Sequence, residues 1–565
     1  VSGQAAGSEL QARGTRLELG QGLLRALARA PAWALTAAAG CVYLIAAPAS
    51  ADLTAATYRS DLFGREGFTL WDNAWYGGHH LPAYSVLAPA LGWLVGPRLL
   101  ATASLVVTVA LFGLLIAGRF PPRATRVASL WFAIGAAFAL LSCRVPFDLG
   151  LAIGCGALLA AQRGRRALAL ALAALCSLAS PVAGGFLALA ALTWWLSLGP
   201  ARRVGWLILA ALAPIAALAL AFPEGGIQPF VASAFYPAFA GVLAIAALIG
   251  PNAGDGARAL RAGALLYAVG LLGAYLLHTP VGGNADRLGA MGAGPLAALA
   301  ILAGAETRGS HAGLRALLAR RRVAALAALA PALLYWQATA PVTDFLSAAR
   351  DPAVNASYYT PLLAELRTLG IGYGARAARI EVVPTADHWE AQFVASQVSI
   401  ARGWERQLDG LRNGLFYARA APDAARLQEW LREEAISYVA LADSPLDYSG
   451  TAEARLVGQA PPFLREVWRS AHWRLFAVAD PSPLAQPPAT LSQLGSDSFT
   501  LRAPAAGQYA VRVRFTPYWR LSNGSGCVAR GPGDWTVLSL PRGGSFHVVI
   551  GFSLARLFEH GPRCR

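Results

Sequence analysis

Apolar residues run along the first 340 positions in stretches of roughly twenty, broken by short polar connections rich in arginine. Runs of this length match the ~30 Å hydrocarbon thickness of a bilayer when helical, so they predict membrane-spanning helices. They fall at 33–49, 98–118, 127–143, 145–161, 167–180, 181–199, 204–222, 230–250, 262–278, 288–304 and 323–340, about eleven spans. Gly and Pro interrupt several of them, as at Ser180-Pro181 and Ala213-Pro214, which suits helices packed through small residues. Residues 85–96 are apolar but too short to cross easily, and predict an interfacial or re-entrant helix.

Beyond Ala340 the pattern changes. Segments 379–383, 436–442 and 473–479 alternate as strands, with helical stretches at 358–369 and 423–435, and predict an α/β domain over 341–480. From 490 to 565 only short strands remain (498–502, 508–515, 526–529, 535–540 and 545–552), separated by Gly, Pro and Asn turns; a small β-sandwich is expected. The Pro-rich stretch 480–488 reads as the linker between the two.

Charge orients this chain. Of 24 arginines in residues 1–340, nineteen fall on alternate connections (Arg13 to Arg29, Arg119/Arg123/Arg126, Arg163/Arg165/Arg166, Arg202/Arg203, Arg258/Arg261, and Arg308 to Arg322), so those are expected to be cytoplasmic. An odd number of spans then places the N-terminal segment 1–30 inside, leading into an uncleaved signal-anchor helix, and the last 225 residues outside. The net charge of +16 thus belongs to membrane topology, which removes the support for nucleic-acid binding. All 47 Lys or Arg positions are Arg, and Ala and Gly are abundant, a usage that suggests a high-GC bacterium, so the expected location of the spans is the bacterial plasma membrane. Cys527 and Cys564 lie in the extracytoplasmic part and are expected to form a disulfide.

The polar residues of unusual type gather on the outer side: Asp52, Asp61, Glu66, Asp72, His79, His80, Asp148, Glu224, His278, Asn284, Asp286 and Arg287. The connection 51–84 is too rich in Trp, Tyr, His, Gly and Asp to be a plain linker. Its sequence YRSDLFGREGFTLWDNAWYGGHHLPAY, an acid after the first span followed by Gly, Trp and a Tyr-Gly-Gly turn, resembles the first outer loop of GT-C glycosyltransferases. The resemblance implies a GT-C-like membrane domain over 31–340, with Asp61 as general base and Asp72 second. A hydroxyl acceptor needs such a carboxylate to take its proton during attack. Asp61 is followed by Leu62, where some members of the family carry a second acid.

An outward-facing site cannot draw on cytoplasmic nucleotide sugars, so the implied donor is a polyprenyl-phosphate-linked sugar and the acceptor an envelope glycan or lipid. Arg287, with Asn284 beside it, and Arg144 are the candidate ligands of the donor phosphate, since a guanidinium matches phosphate bidentately. Trp71, Trp75, Tyr76, His79, His80 and Tyr84 are the candidate substrate-contacting residues. A divalent cation is open to one of the histidines with Asp61 or Asp72. Two further classes compete: a transporter or flippase, and a non-catalytic envelope assembly protein with a glycan-binding ectodomain.

Overall fold

The computed structural model describes residues 30–198, 204–249, 255–308, 314–374, 376–559 and 561–564. Residues 1–29 of the expected cytoplasmic segment 1–30, and the Arg202/Arg203 connection, lie outside them. Each of the eleven apolar runs is helical over most of its described residues. Among the described residues seven helices are long and apolar enough to cross a membrane: Pro97–Ile116, Pro122–Ser142, Val145–Gln162, Ala232–Ile249, Asp255–Leu276, Gly282–Ala305 and Arg320–Ala348. Arg166–Ala179, Pro181–Ser197 and Gly205–Ala221 are apolar but shorter. The chain is a membrane protein with a helical N-terminal region and a strand-rich C-terminal region.

The first span breaks where the sequence allows it. Helix Ala32–Ala46 ends at Ala47 in a left-handed conformation before Pro48, and Ala51–Glu66 leaves at 75° to it. Arg98 caps the break, donating from Nη2 to the carbonyls of Ala47 at 3.0 Å and Pro48 at 3.2 Å. The first half of the 51–84 connection is therefore a helix rather than a loop. Gly67, at φ 75°, ends it. Helix Ala88–Val95 packs on that helix and leaves Trp93, Leu94 and Val95 exposed. Its eight residues reach only ~12 Å, so it does not span.

The second half of the connection folds as a small antiparallel pair, β1 (Trp71–Asp72) and β2 (His79–His80), closed by the Tyr76-Gly77-Gly78 turn, in which all three residues have positive φ. Five further strands make a mixed sheet: β3 (Arg379–Val382), β4 (Ser399–Ile400), β5 (Ile436–Ala442), β6 (Leu464–Arg469) and β7 (Trp473–Val478), in the order β4-β3-β5-β7-β6. β3 is parallel to both β4 and β5, whereas β7 is antiparallel to β5 and β6. Helix Ala424–Glu433 crosses between the parallel strands, its first turn capped by Asp423, which accepts from the Arg426 amide.

The remaining strands are β8 (Thr490–Leu494), β9 (Ser498–Ala503), β10 (Gly507–Arg514), β11 (Trp519–Leu521), β12 (Cys527–Arg530), β13 (Trp535–Leu540), β14 (Gly544–Ile550) and β15 (Arg563–Cys564). They form two four-stranded antiparallel sheets, β10-β13-β12-β15 and β11-β14-β9-β8. Inward residues of both, among them Val511, Val513 and Leu538 from one and Phe499, Leu501 and Val548 from the other, share a single apolar core. Cys527 and Cys564 are disulfide-bonded, joining β12 to β15. The segment expected as a linker is packed instead: Leu484 and Ala485 are buried in that core.

The helical and strand-rich regions meet over a continuous interface. One apolar cluster runs from Leu53, Tyr58 and Leu105 among the helices to Ile380, Ile400 and Leu475 in the five-stranded sheet. Ala74 accepts from the Ile400 amide at 2.8 Å and Trp75 bridges Ile400 in parallel, so the 67–87 segment extends the sheet at its β4 edge.

Candidate functional site

Five charged side chains from four helix ends converge where the helical region meets the strand-rich one. Asp52 stands in the first turn of Ala51–Glu66, Arg144 immediately before Val145–Gln162, Asp148 one turn into that helix, Arg287 at the start of Asp286–Arg308, and Asp344 near the end of Leu314–Ala348. Arg144 donates from Nε to Asp52 at 2.9 Å and from Nη2 to Asp344 at 3.5 Å. Ser142 donates to the same Asp344 oxygen, and the Ser50 hydroxyl fixes the turn by donating to the Ser142 carbonyl at 2.8 Å. Side-chain exposures of 25% for Arg144, 16% for Asp52 and 30% for Asp344 leave the group open to a ligand.

Two members are unsatisfied. Asp148 is 1% exposed and its Oδ2 has no hydrogen-bond partner. Arg287 makes no hydrogen bond or ion pair among the described residues; its guanidinium lies 5.4 Å over the Phe147 ring, within electrostatic range of Arg144, Asp52, Tyr84 and Asp148. Asn284 sits on the 3-10 turn Gly282–Ala285 that leads into the Arg287 helix. Asp286 points elsewhere, accepting the Trp336 indole N–H at 3.1 Å. A cavity of about 480 Å3 is lined by Pro48, Ala49, Phe345, Ala348, Arg350 and Asp351 among others, and by none of the five charged side chains. A buried, unpaired polar group in a membrane protein is costly, which makes this charged set the candidate binding place.

The other sequence-predicted residues have different settings. Asp61 is exposed on the Ala51–Glu66 helix and accepts from Gln392 Nε2 at 2.7 Å. Asp72 is fully buried, accepting from the Tyr58 hydroxyl at 2.8 Å and the Ala74 amide at 3.0 Å; burial outweighs those bonds and raises its carboxyl to about 6. Neither belongs to the charged group at the helix ends. The candidate substrate-contacting aromatics are packed between the regions: Trp71 against His80 and Trp519, Trp75 against Tyr58 with its indole donating to the Ala391 carbonyl, and Tyr76 donating to the Glu405 carbonyl.

His79 stacks on Trp75, and burial together with the Arg59 charge pushes its imidazole well below the usual range, so the ring is neutral. His80 pairs with Glu224 through Nδ1 at 2.6 Å. Only Tyr84 reaches toward the charged group, its ring under the Arg59 guanidinium at 4.2 Å. Arg59 itself is held by Glu405 in a buried pair. Among the described residues no group of three or more His, Cys, Asp or Glu side chains is placed to hold a metal ion.

Sequence reasoning thus assigns Arg144 and Arg287 to the donor site and places Asp52 and Asp148 on the same side without a role, but leaves out Asp344. Asp52 had a signal of its own, being the first acid after the first span. Asp344 had little, since it follows the last apolar run in a segment that reads as a connection. No protein-family model matches the sequence, and no curated protein is significantly similar to it.

Proposed function

We propose that the protein is a GT-C-type membrane glycosyltransferase that moves a sugar from a polyprenyl-phosphate donor to an envelope glycan or lipid acceptor on the outer face of the bacterial plasma membrane. The observation that carries this reading is the convergence of three carboxylates and two guanidiniums at helix ends beneath the strand-rich region. In the proposed orientation, with about eleven crossings and the N-terminus inside, that is the outer membrane surface, where a lipid-linked donor presents its phosphate.

In this reading Arg287 receives the phosphate, since it is the cation of the group without an acidic partner. Arg144 is shared: a donor phosphate competes with Asp52 for its guanidinium and so frees the Asp52 carboxylate. The acceptor oxygen attacks the anomeric carbon, the bond from that carbon to the phosphate oxygen breaks, and polyprenyl phosphate leaves with the electron pair. Asp52 takes the hydroxyl proton, a role the resemblance alone had given to Asp61. Asp72, buried and spent on Tyr58 and Ala74, holds the 67–87 segment in place.

The phosphate assignment is tested by native mass spectrometry of the purified chain with a short polyprenyl phosphate. Arg287→Ala should weaken binding by at least about tenfold, the loss of one charge-assisted contact. Unchanged binding would remove Arg287 from the donor site.

A further inference from the structure

We infer that residues 552–558 form a membrane anchor which seats the second, all-strand unit on the lipid surface of the bilayer its own helices cross. The inference rests on the reading of the apolar helices as membrane-embedded, and not on the glycosyltransferase activity.

Exposed large apolar residues are scattered singly over the strand-rich region, at Leu411, Tyr448 and Val467, until the last strands. There Phe552, Leu554 and Phe558 are 49%, 71% and 83% exposed within seven residues. Clustering of this kind marks an interaction surface rather than ordinary surface composition. The segment is held in shape, not frayed. Arg556, buried at its centre, donates from Nε to the Pro517 carbonyl at 3.1 Å and from Nη2 to the Gly561 carbonyl at 2.6 Å. Arg563 clamps the near end, donating to the carbonyls of Tyr518 at 3.1 Å and Gly551 at 2.7 Å. With both cations turned inward, the outward residues are apolar.

Position says what covers them. The Tyr518 hydroxyl donates to the carbonyl of Ala221, the last residue of the apolar helix Gly205–Ala221, at 2.7 Å. Phe552 stands 5.3 Å from the Tyr518 ring and 6.2 Å from Phe222, the next residue of that helix end. The 222–231 connection, with Ile227 and Val231 also exposed, leads directly into the membrane-spanning helix Ala232–Ile249. The patch is therefore continuous with helix ends at the bilayer surface, where apolar side chains enter the headgroup boundary and Glu559 stays at its rim.

The test uses the full chain in nanodiscs containing a diazirine-bearing phosphatidylcholine, with adducts mapped after photolysis. Adducts are expected on the 551–559 peptide as well as on Pro97–Ile116, the internal control for a span. In Leu554→Ser/Phe558→Ser, which alters only exposed side chains, the 551–559 yield should fall at least about fivefold while the control stays constant. Retention of the Cys527–Cys564 disulfide in that variant checks its fold. Adducts on the span but none on 551–559 would overturn the anchor and leave the membrane reading standing. Absence of adducts from both would overturn the membrane reading and the anchor with it.

Discussion

Arg144 and Asp52 meet across 92 residues of sequence, the arginine Nε lying 2.9 Å from the Asp52 carboxylate. The same guanidinium reaches Asp344, so one cation at the head of Val145–Gln162 ties together the break in the first span and the end of the last long helix. Arg144→Ala leaves two carboxylates facing each other without their counter-charge. It should lower the stability of the full chain in detergent by about 2 kcal/mol, the scale of a hydrogen bond to a charged group. Thermal unfolding checks this, and Arg144→Lys should recover only part of the loss because the ammonium lacks the fork that serves both acids.

A second arginine organises the mixed sheet. Arg402, 2% exposed, donates to Asp409 Oδ2 at 2.6 Å, to Glu453 at 3.0 Å and to the Ser449 hydroxyl at 2.7 Å. Arg402→Met strands two buried carboxylates and should cost about 3–5 kcal/mol. Limited proteolysis of the full chain would then cut within 380–460 far faster than in the parent protein. Equal resistance would mean that the acids are neutral without their arginine.

Alkaline pH should loosen the strand-rich region through His388, whose partners Glu390 and Asp447 both belong to it. Burial alone would push its imidazole down, but hydrogen bonds to Asp447 and Glu390 outweigh this and raise it to about 9. Its folded value exceeds the unfolded 6.5, so the stabilisation is complete below about 6.5 and is lost as pH rises through about 9. The difference between the two values corresponds to about 3 kcal/mol. His388→Gln should flatten stability between pH 6.5 and 9, measured by denaturant unfolding at several pH values. A variant that kept the parent's alkaline loss would assign it to another group.

The residues differ in how readily sequence reveals their settings. Helices were legible because membrane burial leaves a long apolar run in each, and strands such as Ile436–Ala442 and Trp535–Leu540 because half-burial leaves alternation. The helix Ala51–Glu66 was not, since its buried face is split between Leu53 and Leu62 and polar residues such as Ser60 and Arg59, the latter paired with Glu405 far along the sequence. Trp71, Trp75, Tyr76 and His79 carry the residue types of a sugar site. They are also the types that fill an interface between two regions, and only tertiary structure separates those uses. Arg287 was legible because cations are scarce on that side of the helices. Asp344 was not, because its importance comes from Arg144 and Ser142, about 200 positions away.

The most direct measurement is sugar transfer by purified protein in lipid, from a panel of radiolabelled polyprenyl-phosphate sugars to a cell-envelope glycan extract, with Asp52→Asn beside Asp61→Asn. If Asp52 takes the acceptor proton, the first variant loses at least about 100-fold in rate while remaining folded, the typical worth of a positioned base, and the second keeps most of its activity. Transfer that survives Asp52→Asn and disappears in Asp61→Asn, or wild-type protein that transfers from none of the donors, would contradict the assignment.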